Sequence, residues 1–279
     1  AVATGRAAEM GLLFRKGTAR EALARADTVV LDKTGTLTRG KPTLVRVLPF
    51  GLSQEEALRL AAALERGSEH PLAKAVLEAA ESLPQAQAEE VRALPGEGVE
   101  GRVGGRRLHL GGPALMERLG VPLPEEAKAL PEEGYTPLYL VEGTRLLAAF
   151  AVFDPPRPEA QEAVAALKAL GLKLVLLTGD HPAPARRVAE ALGIPEVLAG
   201  VRPEGKVEAI RRLQAEGRKV VFVGDGINDA AALAQADVGL AMGSGTDIAL
   251  EAGDVVLLTP DLRGVVNAVR LARRTLRTI

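Results

Sequence analysis

Val29-Val30-Leu31-Asp32-Lys33-Thr34-Gly35-Thr36-Leu37-Thr38 is the stretch on which the fold turns. Its first three residues are a short apolar run of β character, and Asp32 stands at the end of that run. Lys33 to Thr36 follow as a tight polar turn. Ligands and reactive groups in parallel sheets collect at the carboxyl ends of the strands, so Asp32 is displayed where chemistry is usually done. A carboxylate is ionised at neutral pH. It attacks a phosphorus centre without a base to activate it, giving an aspartyl-phosphate. A single Asp after a strand more often only opens a turn, so the weight falls on what surrounds it.

Downstream the same grammar repeats. A helix over 159–170 leads to a strand over 173–177 that ends in Thr178-Gly179-Asp180, with a helix over 183–192 after it. A helix over 204–216 leads to a strand over 219–223 that ends in Gly224-Asp225-Gly226-Ile227-Asn228-Asp229. A helix over 229–235, strands over 238–241 and 255–258, and a terminal helix from 262 complete the series. Apolar strands alternating with helices predict a doubly wound, Rossmann-like parallel sheet, and the strand ending at Asp32 belongs to it. Upstream, residues 6–14 read as a helical turn running into a short strand, and 19–26 have helical composition.

Between about 49 and 150 the character differs. Ser53 with Glu56 three residues on is a capping box that opens a helix through 64. His70-Pro71 starts a second helix over 72–83. Short strands follow over 91–94, 98–103 and 106–110, the last two joined by Gly104-Gly105, and a further hairpin turns at Glu142-Gly143. Helices followed by hairpins predict an α+β insert, giving a sheet domain from 1–48 and 151–279 interrupted by a second domain over 49–150.

Three strand ends then converge on one edge. Asp225 beside Asp32 supplies the carboxylate pair that a hard cation such as Mg²⁺ takes, together with phosphate and water. Like charges so close need a cation between them. Asp229 fits either that acidic group or a helix cap. Thr178 and the Gly179 amide are donors suited to phosphate oxygens. Lys206, in Val201-Arg202-Pro203-Glu204-Gly205-Lys206, is an ordinary surface lysine by itself and a charge-balancing one near this edge.

Bulk properties set limits. A length of 279 residues suits two domains. A formal net charge of -1 and 3% aromatics argue against a nucleic-acid partner. The absence of cysteine excludes disulfides and thiolate metal sites within the chain. No apolar run reaches bilayer length and no signal peptide is visible, which predicts a soluble piece.

Asp32-Lys33-Thr34-Gly35-Thr36-Leu37-Thr38 closely resembles the phosphorylation signature of P-type ATPases, ion pumps of the haloacid-dehalogenase-like superfamily. Thr178-Gly179-Asp180, the segment ending at Lys206, and Gly224 to Asp229 resemble the other motifs of that family, in order. The resemblance implies that Asp32 is phosphorylated. It implies that Asp32, the Thr34 carbonyl and Asp225 hold Mg²⁺, and that Thr178, Lys206 and Asn228 contact the phosphoryl group. Ala231 stands where the family usually has proline, and His181 where it commonly has Asn.

Ser68-Glu69-His70-Pro71-Leu72 resembles a string of the heavy-metal pumps, whose nucleotide domains use the Glu and His to hold adenine. By that resemblance Glu69 and His70 bind ATP, with Gly96 and Gly98 letting the backbone approach it. Gly111-Gly112 stands where the family has Gly-Asn. His109 carries no such role. Gly96 to Gly101 satisfies a dinucleotide fingerprint, but a hairpin follows instead of a helix; Gly35 to Lys41 fails as a P-loop because Pro42 replaces the Ser/Thr.

The opening Gly5-Arg6-Ala7-Ala8-Glu9-Met10-Gly11 is nearer to copper than to zinc pumps. The resemblance covers the phosphorylation and nucleotide-binding portions alone. It implies that the actuator domain, the transmembrane helices and the heavy-metal site belong to a longer protein, with this part at the cytoplasmic face of a membrane. The junctions near Pro49 and at Asp154-Pro155-Pro156 read as a hinge. Arg270, Arg273, Arg274 and Arg277 suit either an anionic leaflet or a solvated face. Three alternatives stand beside this reading: a Zn/Cd pump, a non-catalytic nucleotide-binding regulator, and a free-standing phosphatase of the superfamily. Such phosphatases carry a second Asp two residues after the nucleophile, where this chain has Thr34.

Overall fold

A computed structural model describes residues 11–242 and 253–277. The reading of residues 6–10, and with it most of the opening string, lies outside them, as does the side chain of Arg277. The strands in chain order are β1 Leu12–Phe14, β2 Thr28–Asp32, β3 Thr43–Pro49, β4 Ala88–Leu94, β5 Gly98–Val103, β6 Arg106–Gly111 and β7 Thr136–Glu142. They continue as β8 Arg145–Phe153, β9 Lys173–Leu177, β10 Glu196–Leu198, β11 Val220–Asp225, β12 Val238–Met242 and β13 Val255–Leu257. Two compact units result, Ala1–Gly40 with Pro155–Ile279, and Lys41–Asp154.

The first unit is a seven-stranded sheet in the order β1-β13-β12-β11-β2-β9-β10. Every pairing is parallel except that of β1 with β13. β2, β11 and β12 are almost wholly buried because helices cover the sheet, which is why Val29, Val30 and Leu31 form an unbroken apolar run. Val30, Val175, Phe222 and Val256 share one core with Ile210 and Leu233 of the covering helices. The terminal helix Arg263–Arg277 turns its apolar side inward, burying Val265, Val269 and Ala272. Its Arg273 is occupied within the unit, donating to the Leu170 carbonyl at 2.7 Å. That bond satisfies a carbonyl at the end of the helix Ala160–Ala169. Among the described residues no helix is long and apolar enough to cross a membrane.

The second unit is a six-stranded antiparallel sheet, β3-β8-β7-β6-β5-β4. The helices Gln54–Glu65 and Pro71–Ala79 pack on one face around Phe150 and Leu140, and the helix Pro113–Leu119 packs on the other around Tyr139. Ser53 caps the helix as read, its Oγ accepting the Glu56 N–H at 3.0 Å, while the Glu56 carboxylate pairs with Arg59 at 2.6 Å instead of closing the box. Residues 43–48 were expected in the first unit, yet Thr43–Pro49 is an edge strand here, paired with β8 with a register shift between Leu44 and Arg46. Leu44 and Val47 pack on one core and Leu48 on the other. Pro42 and Pro49 bracket this strand and mask it in the sequence, so the insert begins at Lys41 instead of near 49.

Candidate active site

Register brings the three strand ends of the first unit together. Leu31 lies beside Val223, and Asp32 beside Leu177. Gly224-Asp225 and Thr178 therefore leave the sheet at the edge where Asp32 sits, itself only 4% exposed. Lys206, at the start of the helix Lys206–Ala215, enters this edge with its Nζ 3.3 Å from Asp32 Oδ2 and 2.8 Å from Asp229 Oδ1. The other Asp229 oxygen accepts the Asp225 N–H at 3.0 Å, so one carboxylate links the lysine to the β11 loop. Gly224 makes this possible: a Cβ there would lie 2.7 Å from Asp229 Oδ2. Asp225 accepts the Ile227 N–H at 2.7 Å and the Asn228 amide at 2.9 Å, so Asn228 is engaged with Asp225.

The nucleophile loop is tied down atom by atom. Thr34 (φ -76°, ψ 121°) and Gly35 (φ 78°, ψ -2°) take the central positions of a type II turn, which requires the positive φ that glycine supplies. Thr38 donates to the Lys33 carbonyl through its N–H at 2.9 Å and its hydroxyl at 3.2 Å. Arg157 takes the next carbonyls: its Nε lies 2.7 Å from Thr36 O, its Nη2 3.4 Å from Gly35 O, and its backbone N–H 2.9 Å from Leu37 O. The Thr34 carbonyl, turned out of the loop by the type II geometry, is reached by none of these donors. Buried Lys33 pairs with Asp180 at 2.6 Å, joining the loop to the end of β9. Thr178 Oγ1 accepts the Asp180 N–H at 3.1 Å, which leaves its hydroxyl proton to donate. At Gly179 a Cβ would stand 3.2 Å from the Val201 carbonyl.

The electrostatics correct one sequence expectation. Burial, then the neighbouring Asp229 carboxyl, push Asp32 up to about 8, and Lys206 only partly opposes them. Asp32 is therefore not simply ionised at neutral pH. Burial pulls Lys206 down, but Asp229 and Asp32 outweigh it and hold the lysine above its ordinary value. Two buried carboxyls against one ammonium, with Asp225 beside them, is an arrangement short of positive charge. A divalent cation fits that deficit: Asp32, Asp225 and the outward Thr34 carbonyl are all oxygen donors, the set Mg²⁺ prefers. Among the described residues no three His, Cys, Asp or Glu side chains form a self-sufficient metal cage. The remaining ligands would be water and substrate oxygens. Among the described residues the buried Thr36 hydroxyl has no hydrogen-bond partner, a cost of about 1–3 kcal/mol.

In the second unit the glycines gather and the other candidates do not join them. Gly98 and Gly111 are direct cross-strand partners. A Cβ on Gly98 would collide with the Leu110 carbonyl and lie 2.7 Å from Gly111 Cα, so these two glycines serve backbone packing. Gly96 (φ 75°) and Gly112 have open space around them, and the Gly112 N–H bonds the Glu97 carbonyl at 3.2 Å. His70 caps its own helix, its Nδ1 accepting the Leu72 N–H at 3.1 Å. Glu69 is 90% exposed and pairs with Lys74 at 3.3 Å. Among the described residues no hydrogen bond joins Glu69 or His70 to the glycine corner. Sequence reasoning passed over Lys33, Arg157 and Glu65. Lys33 lay inside the quoted string. Arg157 and Glu65 carry no local signal; Glu65 stands out only because burial pushes its carboxyl up to about 7.

Comparison with known proteins places this geometry. Residues 26–237 match the haloacid dehalogenase-like hydrolases. The whole chain aligns at 48% identity with "Copper-transporting ATPase 1" of Rhizobium meliloti (strain 1021), of which it spans 34%. A solved zinc-transporting PIB-type ATPase in its E2.Pi state superposes with a TM-score of 0.81 at 42% identity, over 97% of this chain and 45% of that one. The catalytic domain of the CPx-ATPase CopB-B, studied for its conformational changes upon nucleotide binding, superposes with a TM-score of 0.77 at 28% identity. It covers 95% of this chain and 98% of that domain. The chain thus spans about a third of the length of the curated relative and nearly all of that catalytic domain.

Proposed function

The chain belongs to the haloacid dehalogenase-like hydrolases, and on that premise we propose that it is the ATP-binding, autophosphorylating part of a heavy-metal P-type ATPase. The observation that carries the reading is the Lys206 bridge, 3.3 Å to Asp32 and 2.8 Å to Asp229, at the carboxyl end of the central strand. Asp32 attacks the γ-phosphorus of ATP in line. A bond forms from a carboxylate oxygen to phosphorus, the bond to the β-phosphate oxygen breaks, and ADP leaves. The proton that burial and Asp229 favour on Asp32 has to be absent at the moment of attack. Lys206 opposes it electrostatically and remains to balance the phosphoryl charge. Thr178, Gly179 and Asn228 orient the phosphoryl oxygens, and Asp180 keeps Lys33 and the loop in place. Mg²⁺, held by Asp32, the Thr34 carbonyl and Asp225, would supply charge neutralisation on the transferring group. ATP would sit on the second unit, at Gly96, Gly98, Gly111 and Gly112 with Glu69 and His70. The two chain crossings serve as the hinge. The actuator domain, membrane helices and metal-ion site are partners within the longer protein, which would lie at the cytoplasmic face of a membrane.

Copper is the ion named for the 48% relative and zinc that for the 42% structure. We retain Cu(I) for the opening string read in the sequence. Incubation with γ-³²P-ATP and Mg²⁺ is the test. Wild type should acquire an acid-stable, hydroxylamine-labile label, and Asp32→Asn should acquire none. Brisk hydrolysis of p-nitrophenyl phosphate without accumulated label would show a phosphatase instead.

A further inference from the structure

Arg157 lies at the start of the returning segment and has no role in the sequence reading, yet it bonds three carbonyls of the nucleophile loop. Its guanidinium reaches three carbonyls, Thr36 at 2.7 Å, Gly35 at 3.4 Å and Pro260 at 3.2 Å, and its own N–H takes the Leu37 carbonyl at 2.9 Å. Pro156, one residue before, bridges Thr38 as an antiparallel ladder position. With Lys33 O held by Thr38, four of the five carbonyls from Lys33 to Leu37 have a donor from Arg157 or Thr38. The exception is Thr34, at the centre of the type II turn. An arginine fork fixes two acceptors at once in one plane, which an ammonium does not.

We propose that Arg157 is a positioning residue for the cation: by occupying the Gly35, Thr36 and Leu37 carbonyls it holds the turn that presents the Thr34 carbonyl beside Asp32. The proposal rests on the reading of Asp32, Thr34 and Asp225 as the cation's ligands. Arg157 itself touches neither the cation nor the nucleotide. Without the guanidinium, the Gly35 and Thr36 carbonyls are free to rotate towards other donors, and the Thr34–Gly35 peptide loses the anchor on its C-terminal side.

Mn²⁺ serves as the probe, its binding followed by electron paramagnetic resonance on the 279-residue chain without nucleotide. Wild type, Asp225→Asn, Arg157→Met and Arg157→Lys are compared, each checked for folding by circular dichroism. ADP affinity in the absence of metal reports on the second unit. Arg157→Met should weaken Mn²⁺ about tenfold or more with ADP affinity unchanged, and Arg157→Lys should recover only part of the loss. A folded Arg157→Met that binds Mn²⁺ as wild type does overturns the proposal. Should Arg157→Met not fold, Arg157→Lys decides: wild-type Mn²⁺ affinity there overturns it equally. If wild type binds no Mn²⁺, or Asp225→Asn binds it unchanged, the cation-site reading fails first and the positioning role falls with it.

Discussion

The edge of the first sheet and the glycine corner of the second unit are built on opposite principles. At the first, Asp32, Asp229 and Lys33 are buried and held by fixed partners, the half-buried Lys206 and Asp180. At the second, backbone approaches backbone at Gly98 and Gly111, while the named side chains, Glu69 and His70, stand in solvent. On the proposed reading, the contrast follows from the work each would do. A reacting carboxyl needs an environment that sets its charge state, and only burial among other charges does that. A corner that receives a flat ligand needs space and exposed amides, which the absence of side chains provides.

The sharpest way to break the comparison is Lys206→Met. It removes the one ammonium from two buried carboxyls. Stability should fall by about 3 kcal/mol at pH 8, and less at pH 6, where Asp32 carries a proton. Phosphate labelling should fall by a hundredfold or more. Thermal unfolding at the two pH values and γ-³²P-ATP labelling check this. A loss equal at both pH values would mean that charge is not what Lys206 contributes.

Next in size is Gly98→Ala, which sets a methyl against the Leu110 carbonyl at φ 150° and should cost about 2–3 kcal/mol through overpacking. Gly112→Ala is its control. With nothing within 4 Å and φ -87°, it should change stability by less than about 0.5 kcal/mol. Any loss of ADP affinity in that variant then belongs to the ligand, and an unchanged affinity would remove Gly112 from the corner.

A smaller effect concerns pH. The folded chain keeps a proton on Asp32 to about pH 8, against an ordinary carboxyl value of 3.8. Between those values the folded state binds more protons than the unfolded one, so stability falls as pH rises. Asp32→Asn should remove this slope, a gain on the order of 2 kcal/mol relative to wild type between pH 6 and pH 8. Millimolar Mg²⁺ should flatten the wild-type slope and leave Asp32→Asn unaffected. Glu65, raised to about 7, contributes a slope of the same sign that Asp32→Asn leaves untouched.

The strands of the first unit were legible because burial on both faces leaves a continuous apolar run, and Val29 to Leu31, 173–177 and 219–223 all show it. β3 was not, because an edge strand exposed on one side carries a mixed pattern. Thr43–Pro49 is also framed by prolines, which read as loop. Asp32, Asp225 and Lys206 were legible from position and resemblance. Arg157 was not: it acts on carbonyls, and a carbonyl is the same in every residue.

The alternation of apolar strands and helices in the first unit, the placing of Asp32 at a strand end and the two-part organisation follow from this sequence alone, because apolar periodicity and strand-end residues are local properties of the chain. Tertiary structure decided where the insert begins, which glycines pack and which stay open, and that burial and Asp229 push the Asp32 carboxyl up from its ordinary range. It also decided which donors take the nucleophile loop's carbonyls. Each of these depends on what lies within a few ångströms in space. For Lys33 and Asp180, Arg157 and Thr36, or Lys206 and Asp32, those neighbours are more than a hundred residues away along the chain.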